Sequence, residues 1–189
     1  SEPRKVVFAV APPGGLGAHS ITMDCQAGAH PTADALTLLA IANSFACDYY
    51  ARAMVSLNLS LFIMDRIPVP RVDDARSFLV HAAIRLSANH QGYAPLWHEQ
   101  LGEAWREPTP PFTWPVLGGD EERWQVRAAI DGVVADAYGL TGTQYKHVLS
   151  TFSHKSYPKA AALCLEKFDE LKAVGLETFT HRYDPYWDI

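Results

Sequence analysis

Eight histidines, three cysteines and twenty-one carboxylates are the groups of this chain able to do acid–base, nucleophilic or metal chemistry. Their spacing argues against most of those uses. No two histidines stand three or four residues apart, the helical spacing that presents two imidazoles to one metal ion. Cys25, Cys47 and Cys164 are odd in number and far apart, so neither a disulfide framework nor a zinc site is expected. Serine, histidine and aspartate are too dispersed to name a triad, and carboxylates such as Asp131 and Asp136 suit a solvated helix face. Gly14, Gly15 and Gly17 lack both the Gly-Lys-Ser/Thr of a phosphate loop and the third glycine of a dinucleotide fingerprint, which leaves a tight turn. Asp184-Pro185-Tyr186-Trp187 gathers an acid, a proline and two aromatics at the far end of the chain. The chain reads as catalytically empty, with no cofactor and no metal of its own.

The elements that would carry these groups are α-rich α+β: short N-terminal strands followed by a mainly helical, bundle-like C-terminal part. Val6 to Val10 is a short β-branched run closed by Ala11-Pro12-Pro13-Gly14-Gly15, the pattern of a strand entering a turn, and Ser20 to Cys25 is a candidate second strand. Leu36, Leu39, Ala40, Phe45, Ala46 and Tyr49 recur at helical spacing and predict one long helix over 33–53. Asn58 to Ile63 is read as an extended stretch, and Pro68 and Pro70 fix an extended exit from it, because residues before proline avoid the helical region. Further helices are expected from Asp73 or Asp74 to about Asn89, over 95–105, from Asp120 to about Tyr138, from Thr141 to Ser150 and from Pro158 to about Val174. The proline-dense stretch 107–111 is a linker or ordered loop, and 183–187 is an aromatic-rich loop.

Composition is that of an ordinary globular protein, 48% hydrophobic and 20% charged, and no apolar run approaches the roughly 18 to 20 residues that cross a bilayer. The net charge of −5 runs against a nucleic-acid partner. The charge is uneven, however: residues 1–71 are balanced, and the acidity lies in 72–189. Within that part, 137–165 holds no Asp or Glu but carries Lys146, Lys155 and Lys159 with His147 and His154, a local face that could meet phosphate.

Several short motifs follow one another along the chain. Asn43, Ser44, Phe45, Asp48, Tyr49 and Arg52 form one; Asn58, Leu59, Phe62, Ile63, Pro68, Val69 and Pro70 form the next. Pro111-Phe112-x-Trp114, Asp131, Tyr138-Gly139-Leu140 and Leu149-x-Thr151-Phe152 come after them. In this order they resemble the C-terminal region of large bacterial N6-adenine-specific DNA methyltransferases that fuse methylase and sequence reading in one polypeptide, as in type IIG restriction-modification enzymes and phage-defence methylases. Adenine methylation needs a glycine-bearing loop for S-adenosylmethionine and an Asn- or Asp-Pro-Pro-aromatic tetrapeptide that holds the flipped base. The Asp184 tetrapeptide lacks the second proline, and neither part is present. The resemblance therefore implies that the catalytic domain precedes this region, and that S-adenosylmethionine and any endonuclease belong to the full-length parent.

What the resemblance implies for this chain is target recognition: residues 1–71 as the end of a target-recognition domain, strands plus signature helix, and 72–189 as a helical tail packed on it. Double-stranded DNA and the methylase domain of the same protein are the implied partners, in a prokaryotic cytoplasm and without a membrane. Lys5 and His19 flank the first strand and its loop, where contact residues are exposed. Arg52 and Asn58 are polar members of apolar motifs, with a helix C-terminal charge and a turn-forming amide as their competing structural roles. Lys146, Lys155 and Lys159 are the candidates for sequence-independent phosphate contact. Phe45, Tyr49, Leu59, Phe62, Ile63 and Trp114 are expected in the core. The alternative is a helical docking module of a defence or modification complex, with little DNA contact of its own.

Overall fold

Helix α6, Asp120–Ala137, is the longest helix among the described residues and contributes to both of their hydrophobic cores. Asp120, Glu121 and Glu122 occupy its first turn, where the unpaired N–H groups favour negative charge. It ends in a reverse turn: Gly139 takes φ 72, its N–H bonds Asp136 O at 2.7 Å, and Leu140 N–H reaches back to Ala135 O at 3.1 Å. A side chain with a Cβ is strained in that left-handed conformation, which explains the glycine.

The structure, a computed structural model, describes residues 4, 7–11, 31–54, 60–103, 105 and 117–189. Among them the remaining helices are α1 (Thr32–Ala42), α2 (Phe45–Met54), α3 (Leu61–Met64), α4 (Arg76–Ser87), α5 (Ala94–Leu101), α7 (Gly142–Ser150), α8 (Ala160–Val174) and α9 (Leu176–Tyr183). Helix α6 is apolar on two sides. Val126, Ala129, Ile130, Val133 and Val134 join the larger core with α1, α4, α5 and α9, where Trp97 and Phe179 are fully buried. Ala128 and Ala135 join the smaller core with α2, α7 and α8, around Phe45, Tyr145, Leu149 and Phe168. Each large side chain so buried stabilises the fold by roughly 1.5–3 kcal/mol. Helix α8 lies close against α6 at Gly132, where a Cβ would come within 3.2 Å of Phe168 N.

Several expectations are corrected. The described residues contain no strand. Residues 7–11 keep the alternation of one, with Phe8 and Val10 packed against the larger core and Val7 and Ala9 turned out, but no strand among the described residues pairs with them. Their backbone partners are side chains instead: Asn43 for Phe8, and the Tyr93 hydroxyl, which donates to Val10 O at 2.8 Å. The expected strand at Ser20–Cys25 and the stretch 107–111 lie outside the described residues.

The single helix expected over 33–53 is two, α1 and α2, broken at Asn43-Ser44. Ser44 Oγ accepts Cys47 N–H at 3.1 Å, the bond of an N-cap, and an aspartate from α6 accepts Phe45 N–H, so a second helix starts there. The extended stretch expected over 58–63 is overtaken by α3, whose turn is closed by Ile63 and Met64 N–H on Ser60 O. Phe62 is 63% exposed and Tyr49 37%, and Ile63 is half-buried, so of the expected core residues only Phe45 is buried; Leu59 and Trp114 lie outside the described residues. Helix α9 was not expected; Gly175, at φ 82, separates it from α8.

Candidate nucleic-acid interface

Helix α7 opens on a capping box in which Thr141 and Gln144 satisfy each other's backbone N–H groups, and it carries Lys146. The connection from α7 to α8 carries Lys155, and Lys159 immediately precedes α8. All three lysines are exposed, and none has an ion pair among the described residues. The connection is firmly held. Phe152 meets Phe45 edge-on at 4.8 Å, His154 Nε2 lies 2.8 Å from Leu149 O, and Tyr157, between Lys155 and Lys159, stacks on Trp124 of α6 at 4.9 Å and 11°. The Tyr157 hydroxyl also donates to Glu121. Lys155 and Lys159 thus flank one anchored ring in the chain, and Lys146 lies on the helix before it. Lys5, His19 and Asn58 lie outside the described residues.

Arg52 is used inside the fold. Its Nη2 donates to Thr151 Oγ1 at 2.5 Å, its Nη1 to Thr151 O at 3.4 Å, and its guanidinium lies 3.7 Å from the Phe152 ring centre. Nε is buried without a hydrogen-bond partner among the described residues. Arg52 therefore pins α2 to the end of α7.

The motifs picked out along the sequence meet in pairs. Arg52 meets Thr151-Phe152, Phe45 meets Asp131, and the Tyr138 hydroxyl donates to Pro68 O at 2.7 Å. Asp131, expected on a solvated face, is buried: its Oδ1 accepts Phe45 N–H at 2.8 Å and the Tyr145 hydroxyl at 3.4 Å. Burial pushes its carboxyl up to about 7 against the pull of Arg4 and these hydrogen bonds. Arg4 itself reaches across from the N-terminal segment, Nε 3.3 Å from the buried Asp48 carboxylate and its guanidinium 5.1 Å from the Phe45 ring centre. It also donates to Asn43 O and Ser44 O.

The Asp184 tetrapeptide has structural work of the same kind. Asp184 Oδ2 lies 2.7 Å from His81 Nδ1 on α4, and Oδ1 accepts Tyr186 N–H at 3.0 Å, so the buried pair ties the C-terminal turn to the bundle. Beside it an open cavity of about 600 Å³ is lined by Arg85, Glu122, Arg182, Asp184 and Trp187, charges of both signs. Lys167, also buried, donates to the Tyr183 hydroxyl at 2.8 Å and joins α8 to α9. Among the described residues no cluster of His, Cys, Asp or Glu could hold a metal ion, and no helix is long and apolar enough to cross a membrane. Burial pushes the thiols of Cys47 and Cys164 up, which leaves both unreactive.

Sequence reasoning missed Arg123 and Arg127 on α6. Asp120, Trp124, Arg127 and Asp131 fall at helical spacing on one stripe, with Arg123 beside it. The Arg127 guanidinium lies 5.2 Å from the Trp124 ring centre, and Arg123 donates to Leu86 O at 2.8 Å. The four-residue spacing of the two arginines is visible in the sequence; the stacking of Trp124, on which Arg127 lies, against Tyr157 is not. Comparison with protein-family models, curated proteins and solved structures finds no match for this chain.

Proposed function

We propose that this chain is a noncatalytic DNA-recognition module of the fused N6-adenine DNA methyltransferase class, with the α7–α8 connection facing the phosphates. The carrying observation is that Lys146, Lys155 and Lys159 are exposed without carboxylate partners among the described residues, on a stretch free of Asp and Glu. Lysines left unpaired on α7 and on the anchored connection that follows it can release counterions from a duplex, and such contacts set position rather than read sequence. Methyl transfer, with S-adenosylmethionine, belongs to the catalytic part of the parent protein in this reading.

The test is binding of a random-sequence duplex, followed by fluorescence anisotropy between about 50 and 200 mM salt. Replacing the three lysines together by alanine is expected to weaken binding and to flatten the slope of log K against log salt by about 0.9 for each lysine in contact. Absence of binding at the lowest salt would overturn the phosphate contact.

A second reading, a docking module for the methylase domain or another subunit, is favoured by Phe62 and Val69, large apolar side chains left 63% and 56% exposed around α3. Replacing both by serine would then abolish association with the partner and leave DNA binding unchanged.

A further inference from the structure

We propose that the N-terminal segment is a proton-sensitive strap: Arg4 latches it onto the α1–α2 elbow, and the charge on the buried Asp131 carboxyl, transmitted through the Ser44–Phe45 peptide, sets how firmly the latch holds. The carrying geometry is a chain of hydrogen bonds through one peptide group. Ser44 O accepts Arg4 Nη2–H at 3.3 Å, and Phe45 N–H, the other end of the same group, donates to Asp131 Oδ1 at 2.8 Å. The C=O and N–H of a trans peptide point in opposite directions, so guanidinium and carboxyl stand on either side of it and polarise it in the same sense. An ionised Asp131 thereby makes Ser44 O a better acceptor for Arg4. Arg4 also bonds Asn43 O, and the Asn43 side chain holds both backbone groups of Phe8. Latch and strap converge on Asn43, so the Phe8 amide reports the state of both.

The other titratable groups around this chain come from every element packed on it. From α2, the fully buried Asp48 takes Arg4 Nε at 3.3 Å, and Cys47 adjoins it. From α7, the Tyr145 hydroxyl donates to Asp131 Oδ1 at 3.4 Å, and Cys164 of α8 lies on the same side. From the α7–α8 connection, His154 meets the Phe45 ring edge-on at 5.3 Å. On α6 itself Arg127 stands one turn before Asp131. Burial pushes the Tyr145 phenol and both thiols up, which keeps them protonated and uncharged around neutral pH. Burial also raises the Asp131 carboxyl to about 7, against the pull of Arg4. Opening the strap removes that pull, so the open state holds the Asp131 proton more tightly than the latched one. Above pH 7 opening therefore takes up a proton, and rising pH closes the strap; well below 7 both states are protonated and pH has no leverage through this group.

Two measurements test the latch. The Asp131 carboxyl is titrated by carbon NMR in the unaltered protein, in Arg4→Gln and in Arg4→Lys, and the opening constant at the Phe8 amide is followed by solvent exchange between about pH 6 and pH 9, corrected for the intrinsic rate. Arg4→Gln is expected to move the Asp131 midpoint up by about half a pH unit or more, and Arg4→Lys, which keeps the charge without the fork, by less. The Phe8 opening constant of the unaltered protein should fall roughly threefold to tenfold from pH 7 to pH 9 and stay level in Asp131→Asn, which keeps an acceptor and cannot ionise. His154 is present in both proteins, so its own titration drops out of that comparison. An Asp131 midpoint unmoved by Arg4→Gln overturns the latch, as does a Phe8 opening constant with the same pH profile in Asp131→Asn. The Arg4 variants leave the Asn43–Phe8 bonds in place, so the carboxyl titration decides the matter even where Asp131→Asn does not fold.

Discussion

Asn43 on the α1–α2 elbow and Phe8 in the N-terminal segment exchange two hydrogen bonds, Nδ2–H to Phe8 O at 2.9 Å and Phe8 N–H to Oδ1 at 3.0 Å. One side-chain amide thereby does for an extended segment what a neighbouring strand would do. Asn43→Ala removes both bonds and the Nδ2–H bond to Leu39 O at 3.1 Å, a loss of about 1.5–4.5 kcal/mol at about 0.5–1.5 kcal/mol each. Amide exchange at Phe8 and tryptic cleavage after Arg4 should both accelerate, while the exchange of α6 amides stays as it was. Unchanged protection at Phe8 would refute the clamp.

Asp131 makes stability depend on pH in an unusual direction. Its carboxyl titrates near 3.8 in an unfolded chain and at about 7 in the folded one. Between those values the folded state keeps a proton that the unfolded state has released, so the contribution of this group to stability falls as pH rises from about 4 to about 7 and is level above. Asp131→Asn retains an oxygen acceptor for Phe45 N–H and Tyr145 OH but cannot ionise. The difference in urea midpoint between this variant and the unaltered protein should shift in favour of the variant from pH 5 to pH 8. A difference that stays constant over that interval would contradict the raised carboxyl.

How far the sequence exposes this fold depends on whether the deciding interaction is local. Thr141 with Gln144, Gly139 after Tyr138 and the acids opening α6 act within a few residues, and the helices they bound lie close to where the pattern puts them. The break at Asn43-Ser44 depends on Phe8 and Asp131, respectively 35 residues before Asn43 and 86 beyond Phe45, and apolar periodicity runs straight through it. The same holds at the candidate interface. Lys146, Lys155 and Lys159 stand out as a run without acids, but the meeting of Arg4 with Asp48 and the Phe45 ring is a product of tertiary packing. Arg52, a polar residue in an apolar motif, has Thr151 as its partner 99 residues away, so chain position alone could not separate contact from clamp.

Gly132 sets the closeness of α6 and α8. A methyl group there would lie 3.2 Å from Phe168 N and 3.3 Å from Lys167 C, backbone atoms that cannot turn aside as a side chain can. Alanine is the better helix former by about 1 kcal/mol, whereas forcing a packed interface apart costs about 1–3 kcal/mol. Gly132→Ala should therefore be neutral to destabilising by about 2 kcal/mol, the difference between those two effects, and never stabilising by the full propensity gain. A thermal midpoint raised by several degrees would show that the helices part freely.

Arg52 separates a clamp from a DNA contact. Its fork is committed to Thr151 and its face to Phe152, so Arg52→Ala removes two hydrogen bonds and a cation–π contact between α2 and the end of α7. Hydrogen bonds from a charged donor contribute about 1.5–3 kcal/mol and a partly buried cation–π pair about 1–2, so the 2.5 Å bond and the ring contact, with the 3.4 Å bond discounted as weak, put the expected loss at roughly 2.5–5 kcal/mol. Lysine cannot reproduce the fork, and Arg52→Lys should recover less than half of that loss. The slope of duplex binding against salt, measured where each variant is still folded, should be the same for Arg52→Ala as for the unaltered protein, because no phosphate is given up. A slope shallower by about 0.9 with stability intact would make Arg52 a phosphate contact and turn the α2–α7 junction outward, toward the DNA.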